Sequence, residues 1–329
     1  MRGKKILLRV DFNVPVLNGK VSEHYRIQSN KETIDFLIGK GAIIGLVSHI
    51  TTVSSFESIA SQIKEILERD FVFISDCISV AVGNNLKNAK PGDVFLLENI
   101  RKYDGEKKND SEFAGELAKP FDIYINNAFS VSHRNHASLV SVTNFLPSYA
   151  GFLLIKEINN LNKALKAPKE SKTLIIGGNK IDTKLPVIKN FVDKAEHILI
   201  GGAITKEMFE KNSRIIFPKD YISENGAISD IGPETIKEFV DTISKSKIII
   251  WNGPLGKAEE DKFSIGSRKI SAAIINSGAF SVVGGGDTVA FLEKMVTIDK
   301  FNYISAGGGA MLEFLAGNKL PGLVALGYE

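Results

Sequence analysis

Basic side chains recur in the first half of the chain, at the points where apolar, strand-like runs end. Arg9 lies at the end of KKILLRV, His49 follows AIIGLVS, Arg101 follows DVFLLEN, and Arg134 follows FDIYINNAF. In open parallel sheets, ligands bind beyond the carboxyl ends of the strands, and arginine holds phosphate or carboxylate through two hydrogen bonds at once. One such arginine alone is more readily a surface or structural ion pair. Recurrence at corresponding positions favours a pocket for a small polyanion.

The strand-like runs of the second half end in glycine-rich segments instead, at residues 177–178, 201–202, 253–256, 284–286 and 307–309. Successive backbone N–H groups at the start of a helix bind phosphate oxygens, so this recurrence indicates a nucleotide site. The segments match neither the P-loop spacing nor G-x-G-x-x-G. The GPLGKA stretch has Ala258 where a P-loop needs Ser or Thr. P-loop enzymes and NAD-dependent dehydrogenases are therefore poor fits.

Charged side chains close to these glycines suggest how phosphates would be held without a Walker lysine. Asp287 directly follows the triplet at 284–286 and could hold a Mg²⁺ ion that bridges the phosphates of a nucleotide. The alternative for Asp287 is a helix N-cap. Lys180 and Lys184 are four residues apart and would share one face of a helix. The alternative for this pair is two solvated surface lysines.

The elements that must position these residues alternate along the chain. Short apolar runs alternate with segments of helical period, and strands that are apolar throughout are typical of parallel sheets buried on both faces. A long helical stretch at 151–168 separates two such series. The pattern predicts an α/β protein with two doubly wound parallel-sheet domains joined by a helix. We expect domains at 1–150 and 151–316, with 317–329 packing back on the first.

Composition limits the classes of function. The chain has 329 residues, of which 43% are hydrophobic and 24% charged, with a net charge of +3. This charge does not imply nucleic-acid binding, no run has the apolar length of a membrane span, and the basic start is unlike a signal peptide. The single cysteine, Cys77, cannot form an internal disulfide and is expected in the core. These features predict a cytoplasmic protein.

Ten segments spread over nearly the whole chain resemble the signatures of the phosphoglycerate kinase family, in the family's order. They are RVDFNVP, SH after the second strand, LLENIR, YINNAFSVSHRNHAS, AGFLLIKE, IIGGNKID, DIGPETI, IIWNGPLG, SVVGGGDTVAF and SAGGGAMLEFLAGNKLPGLVAL. The resemblance implies two Rossmann-like lobes joined by a hinge helix. It also implies a monomer that transfers a phosphoryl group reversibly from 1,3-bisphosphoglycerate to ADP, giving 3-phosphoglycerate and ATP with Mg²⁺.

The resemblance also implies roles for single residues. The first domain would bind the phosphoglycerate through Asp11, Asn13, Arg26, His49, Arg101 and Arg134. Catalysis would depend on Arg26, Lys180, Lys184, Gly285 and Gly308, with Arg26 stabilising the transferring group. The second domain would bind the nucleotide through Lys184, Gly201, Gly202, Asn252, Glu259, Gly285, Gly286, Asp287 and Thr288. Gly201 and Gly202 would line the adenine, Glu259 would face the ribose, and Asp287 would hold the metal.

The chain departs from the family's pattern at several positions. Thr52 stands where the family has a substrate-binding arginine, Asn127 replaces a carboxylate, and Ser130 replaces a glycine. In the second half, Asn179, Thr183 and Ala306 replace an alanine, an aspartate and a residue with a hydroxyl, and the chain is shortened between Gly202 and Asp230. These departures motivate an alternative, a non-catalytic relative that acts as a nucleotide- or phosphoglycerate-binding module.

Overall fold

The computed structural model describes residues 1–206 and 212–328, and this part of the chain divides into two compact units. The first unit contains Met1–Glu157 together with the chain from Lys319 onward, and the second contains Ile158–Asn318. Within these residues, no helix is both long and apolar enough to cross a membrane.

The first unit is built on one six-stranded sheet with helices on its faces. Its elements are β1 (Lys5–Arg9), β2 (Val16–Leu17), β3 (Lys20–Val21), α1 (Tyr25–Gln28), α2 (Lys31–Gly39), β4 (Ile43–Val47), α3 (Ala60–Leu67), β5 (Val72–Ile74), α4 (Val80–Asn88), β6 (Val94–Leu97), α5 (Asp104–Lys107), α6 (Ser111–Ala118), β7 (Ile123–Asn126), β8 (Ser148–Ala150) and α7 (Phe152–Lys166). The sheet has the order β5-β6-β4-β1-β7-β8, and β2 and β3 form a separate hairpin. All pairings in the large sheet are parallel.

The second unit contains a second six-stranded sheet of the same kind. Its elements are β9 (Lys172–Ile176), α8 (Ile181–Phe191), β10 (His197–Ile200), β11 (Ile215–Ile216), β12 (Tyr221–Glu224), β13 (Ala227–Ile231), α9 (Pro233–Lys245), β14 (Ile248–Asn252), α10 (Ile265–Asn276), β15 (Phe280–Gly284), α11 (Gly286–Lys294), β16 (Tyr303–Ser305) and α12 (Gly309–Leu315). The order is β11-β10-β9-β14-β15-β16, all parallel, and β12 and β13 pair as an antiparallel hairpin. A short helix, α13 (Pro321–Val324), returns to the first unit.

Burial on both faces explains why the strands are apolar throughout. In β1, Ile6 and Leu8 belong to one hydrophobic cluster, whereas Leu7 belongs to another. Successive side chains of a strand point to opposite faces, so both faces are covered by helices. The predicted fold class, with two doubly wound parallel sheets, is confirmed.

Helix α7 is the long helix that the sequence predicts after residue 150. The division into units falls inside this helix, between Glu157 and Ile158, rather than at the predicted residue 150. The first turn of α7 packs on the first unit, because the ring of Phe152 lies 4.9 Å from that of Phe36 and Leu153 N donates to Asn127 Oδ1 at 3.0 Å. Local packing thus moves the boundary into the helix.

Candidate active site

The carboxyl ends of the central strands of the first unit lie side by side. Arg9, the last residue of β1, pairs in register with Val47 of β4 and Asn126 of β7. Side chains that follow these three strands therefore meet at one edge of the sheet.

Arg9 and His49 form a buried pair at this edge. Arg9 is 1% exposed, and its guanidinium donates to Ser138 Oγ at 3.0 Å and to His49 Nδ1 at 3.2 Å. Since a guanidinium can only donate, Nδ1 accepts and the imidazole carries its proton on Nε2. Burial and the charge of Arg9 lower the pKa of His49 to about 3. His49 is therefore neutral and can offer a ligand an N–H donor without a charge.

A second layer of buried side chains supports Arg9. Glu106 accepts from Ser138 N and from Ser138 Oγ, both at 2.8 Å, and Ser138 Oγ in turn accepts from Arg9. Burial tends to raise the pKa of Glu106, but hydrogen bonds and the charge of Arg9 lower it overall. Reasoning from the sequence missed Glu106, because α5 lies between strands and no strand exit marks it. Ser138 lies in the HRNHAS segment and could have been found there.

Asp11 and Arg26 form the next pair. Arg26 lies 3.6 Å from Asp11 Oδ2 and donates to the carbonyl of Asn13 at 2.7 Å. Ser130 Oγ also donates to Asp11, and Asn13 N donates to it at 2.9 Å. Burial raises the pKa of Asp11, but Arg26 and these hydrogen bonds together lower it below its usual value. Asp11 is a charged anchor that orients Arg26.

Arg101, which is half-buried, and Arg134, which is exposed, make no side-chain ion pair or hydrogen bond within the part of the chain that the structure describes, although Glu106 and Asp11 attract Arg101 from a longer distance. Among residues 1–206 and 212–328, neither side chain has a carboxylate oxygen within 4.0 Å or a hydrogen-bond acceptor. Burial and the positive charges of Arg9 and Arg134 lower the pKa of Arg101, so these arginines are close enough to repel one another. An anion would relieve this repulsion.

Thr52, one of the departures from the family's pattern, has a clear structural partner. Thr52 Oγ1 donates to the carbonyl of Val14 at 2.8 Å, so its side chain fastens the β1–β2 connection. Neighbouring Thr51 donates to Asn13 Oδ1 through both its N–H and its hydroxyl, at 2.9 Å each. The amide of Asn13 is oriented by these bonds, and its Nδ2 remains available as a donor.

The second unit contains a cavity of about 670 Å³ beyond the carboxyl ends of its strands. It is lined by Gly178, Asn179, Gly202, Ile228, Ser229, Pro254, Leu255, Gly256, Lys257, Ala258, Glu259, Asp287, Ala290, Phe291 and Lys294. The volume is that of a small-molecule site. Ile228 and Ser229 come from the β12–β13 hairpin, so this hairpin forms one wall in the shortened region. Residues 207–211 of that region lie outside the described residues.

Lys184 and Lys180 differ in environment. Helix α8 begins at Ile181, one residue after Lys180, so the condition for a shared helix face, that both lysines are helical, is not met. Lys180 is exposed, whereas Lys184 is 6% exposed and its Nζ donates to the carbonyl of Gly177. Burial lowers the pKa of Lys184 to about 8, with Asp287 acting in the opposite direction and Lys180 in the same one. Lys184 is thus a partly desolvated cation beside Asp287.

Asp287 lies in the first turn of α11 and is exposed. The N-cap is Gly285 and Asp287 is the second residue of the helix, so the alternative of an N-cap role is wrong. Asp287 lines the cavity, and within the described ranges its carboxylate accepts no hydrogen bond, which fits a Mg²⁺ ion held by one carboxylate and by ligand phosphates. Thr288 is buried, and its Oγ1 accepts from Gly253 N at 2.9 Å, which ties the loop after β14 to this helix.

The glycines at the strand exits serve two purposes. Some permit close approach of backbones: a Cβ on Gly253 would lie 2.2 Å from the carbonyl oxygen of Gly177, and one on Gly202 would lie 2.5 Å from Gly178 N. In contrast, Gly286 and Gly308 face open space, where no atom lies within 4 Å of a Cβ. Gly286 and Gly308 thus leave open space beside the backbone that a ligand could enter.

The remaining predicted nucleotide residues are placed as follows. Glu259 is exposed at the cavity, whereas Asn252 is buried at the end of β14, where a Cβ on Gly285 would lie 3.2 Å from its Nδ2. Gly201 is buried against Leu255 and does not line the cavity, in contrast to Gly202. Thr183 Oγ1 donates to the carbonyl of Lys180 at 3.0 Å.

Comparisons with known proteins agree on one family. A family model described as phosphoglycerate kinase matches residues 1–216 and 205–318. The phosphoglycerate kinase of Dictyoglomus turgidum is 39% identical over 380 aligned positions, covering 99% of this chain and 96% of the relative, and that of Thermosipho africanus is 36% identical with the same coverage. The crystal structure of phosphoglycerate kinase from Pyrococcus horikoshii has a TM-score of 0.91 at 31% identity, and the structure from Coxiella burnetii has 0.83 at 30%. Each of these two alignments covers 99% of this chain and 96% of the chain in the solved structure. The chain belongs to the phosphoglycerate kinase family.

Proposed function

We propose that this chain is an active phosphoglycerate kinase, which transfers a phosphoryl group reversibly between 1,3-bisphosphoglycerate and ADP to give 3-phosphoglycerate and ATP. The observation that carries the proposal is the cluster of Arg101 and Arg134 near buried Arg9, in which neither Arg101 nor Arg134 has an ion-pair partner among the described residues. Two guanidinium groups that follow β6 and β7 and lack an ion pair among the described residues match a ligand that has a phosphate and a carboxylate.

In the first unit, the acidic substrate would be bound by Asp11, Asn13, Arg26, His49, Arg101 and Arg134. Arg101 and Arg134 supply charge, and neutral His49 supplies a directed donor from Nε2. Asp11 is already paired with Arg26, so its contribution is to orient that guanidinium. Arg26 would then stabilise the charge that spreads over the transferring group.

In the second unit, Mg²⁺-ADP or Mg²⁺-ATP would occupy the cavity. Gly202 and Glu259 lie on its wall, and Gly201 and Asn252 support the loops around it. Backbone N–H groups at Gly285 and Gly286 would face the phosphates, with Lys180 and Lys184 on the nucleotide side of the transferring group. Gly308, which faces open space at the start of α12, would leave room for that group. The metal, held by Asp287, would neutralise phosphate charge when bound.

Phosphoryl transfer between these substrates requires little covalent chemistry from the protein's side chains. The acceptor is a carboxylate that is already anionic, so no general base is needed. The donor is also anionic, and the positive charges of Arg26 and Lys184 offset the repulsion as the phosphoryl group transfers. Positioning and charge stabilisation thus account for catalysis.

The alternative, a non-catalytic binding module, is not favoured. The departures that motivated it have local structural explanations at Thr52 and Thr183, where each hydroxyl donates to a backbone carbonyl. Both lysines, Arg26 and Asp287 remain. No specific observation supports loss of the reaction.

ATP formation from 1,3-bisphosphoglycerate and ADP by the purified chain tests the proposal. We expect turnover in the wild type and a loss of about 10- to 100-fold in Lys184→Ala, the effect of one charged contact. Lys189→Ala, which alters an exposed lysine on the same helix, should keep wild-type turnover. Wild-type turnover no higher than that of Lys184→Ala would contradict the proposal, and calorimetry that detects ligand binding without turnover would identify a binding module.

We also propose a cytoplasmic monomer that binds no nucleic acid. Support comes from the family resemblance, the net charge of +3, and the reduced state expected for Cys77, whose thiol is buried and donates to the carbonyl of Glu98 at 3.1 Å. Light scattering of the purified protein would measure its mass, and a dimer would contradict the monomer.

A further inference from the structure

Two buried asparagines meet beneath the Asp11–Arg26 pair. Asn30, immediately before α2, and Asn127, immediately after β7, are both 0% exposed. Asn127 Nδ2 donates to Asn30 Oδ1 at 2.9 Å. A buried side-chain amide needs partners for all its polar atoms, so the neighbours of this pair define which way each amide points.

The orientation of both amides is determined by their other partners. Asn30 Nδ2 donates to the carbonyl of Arg26 at 2.9 Å and to that of Asp11 at 3.4 Å, so only its Oδ1 can face Asn127. Asn127 Oδ1 accepts from Thr33 Oγ1 at 2.9 Å and from Leu153 N at 3.0 Å, so only its Nδ2 can face Asn30. A carboxylate at 127 has no proton for Asn30 Oδ1. The geometry therefore requires an amide at this position.

The pair connects two parts of the first unit. At one end are the backbone carbonyls of Arg26 and Asp11, which belong to the proposed substrate site. At the other end is the first turn of α7, where Leu153 N donates to Asn127 and Phe152 N donates to Thr33 Oγ1 at 3.1 Å. The packing here is tight, because a Cβ on Gly151 would lie 2.2 Å from Asn127 Oδ1.

We propose that Asn30 and Asn127 are positioning residues for the phosphoglycerate site. They hold the backbone of Arg26 and Asp11 at a fixed distance from β7 and the first turn of α7, and so aim the Arg26 guanidinium. This inference rests on the proposed function, because it takes Arg26 to be a substrate-binding residue. Neither asparagine touches the substrate.

Asn127→Asp tests the proposal, since it changes one buried N–H donor into an acceptor with almost no change of shape. We expect the Kd for 3-phosphoglycerate, measured by calorimetry, and the KM for it to rise about tenfold or more. The KM for ATP should stay within about twofold, because the nucleotide cavity lies in the other unit. Asn88→Asp, an exposed change at the end of α4, is the matched control and should alter none of these quantities.

A second variant and a second readout keep the outcomes distinct. Asn30→Ser, which removes the donor to the Arg26 carbonyl, should raise the same Kd in the same direction even if Asn127→Asp does not fold. Thermal unfolding identifies a purely structural role. In that case the stability of the variant falls, but the Kd of the folded protein for 3-phosphoglycerate does not rise. Unchanged Kd in either folded variant overturns the proposal. Because the Kd is measured without turnover, a wild type that binds 3-phosphoglycerate but does not react would refute the proposed function alone.

Discussion

Acid should destabilise the first unit through His49. Burial and the charge of Arg9 lower the pKa of this imidazole to about 3 in the folded protein, whereas a histidine in an unfolded chain titrates near 6.5. Between these values the unfolded state binds a proton that the folded state excludes. The free energy of unfolding therefore falls as the pH drops below about 6.5, and it continues to fall until about pH 3.

The size of the effect follows from the two pKa values. Between pH 7 and pH 5, this single site should remove about 2 kcal/mol from the free energy of unfolding. The main physical cause is that burial would desolvate an imidazolium, and the second is that the imidazolium would face the guanidinium of Arg9, which lies 3.2 Å from Nδ1. About 2 kcal/mol is a large part of the stability of a domain.

Hydrogen exchange is the suitable assay, because the only tryptophan, Trp251, lies in the second unit and does not report on the first. Exchange of backbone amides in β1 and β4, corrected for the intrinsic rate at each pH, measures local and global opening. His49→Asn keeps an acceptor near Nδ1 for Arg9 and cannot titrate. We expect the difference in protection between pH 7 and pH 5 to shrink by about 2 kcal/mol in this variant.

His24→Asn is the matched control, because it removes an exposed histidine of the same unit. It should retain the pH dependence of the wild type. The reasoning is refuted if His49→Asn and the wild type lose the same protection between pH 7 and pH 5, since the acid sensitivity would then come from other groups.

Three further predictions concern the second unit. Because the pKa of Lys184 is lowered to about 8, its charge is lost as the pH rises through that value. The kcat/KM for the nucleotide should therefore decline above about pH 8. Lys184→Met should lack this decline, whereas Lys189→Met should keep it. Asp287→Asn should raise the KM for the Mg²⁺-nucleotide about tenfold or more while leaving that for 3-phosphoglycerate unchanged, and an equal rise in both would contradict its role. Gly253→Ala should lower the free energy of unfolding, measured in urea, by about 2 kcal/mol more than Gly226→Ala. Both glycines have positive φ, but only at Gly253 would a Cβ meet the carbonyl of Gly177. Equal losses of stability would show that this close approach is not the cause.

Much of the fold could be predicted from the sequence, because strands buried on both faces are apolar at every position. The run at β1, the helix at α7 and the alternation of elements all follow from this pattern. The boundary between units could not be predicted in the same way. It depends on the contact of Phe152 with Phe36 of α2 and on the hydrogen bond from Leu153 N to Asn127, which follows β7, and no local pattern records these tertiary contacts.

The amino-acid sequence determined which chemical groups follow the strands, and the order of its motifs indicated the family. Tertiary structure decided what each group can do. It made His49 neutral by burying it against Arg9, placed Arg101 within reach of the charges of Arg9 and Arg134, and separated exposed Lys180 from buried Lys184. The physical reason is that charge, pKa and hydrogen-bond direction depend on neighbours that folding brings together. The hydrophobic periods of strands and helices, in contrast, depend only on residues close to one another in the sequence.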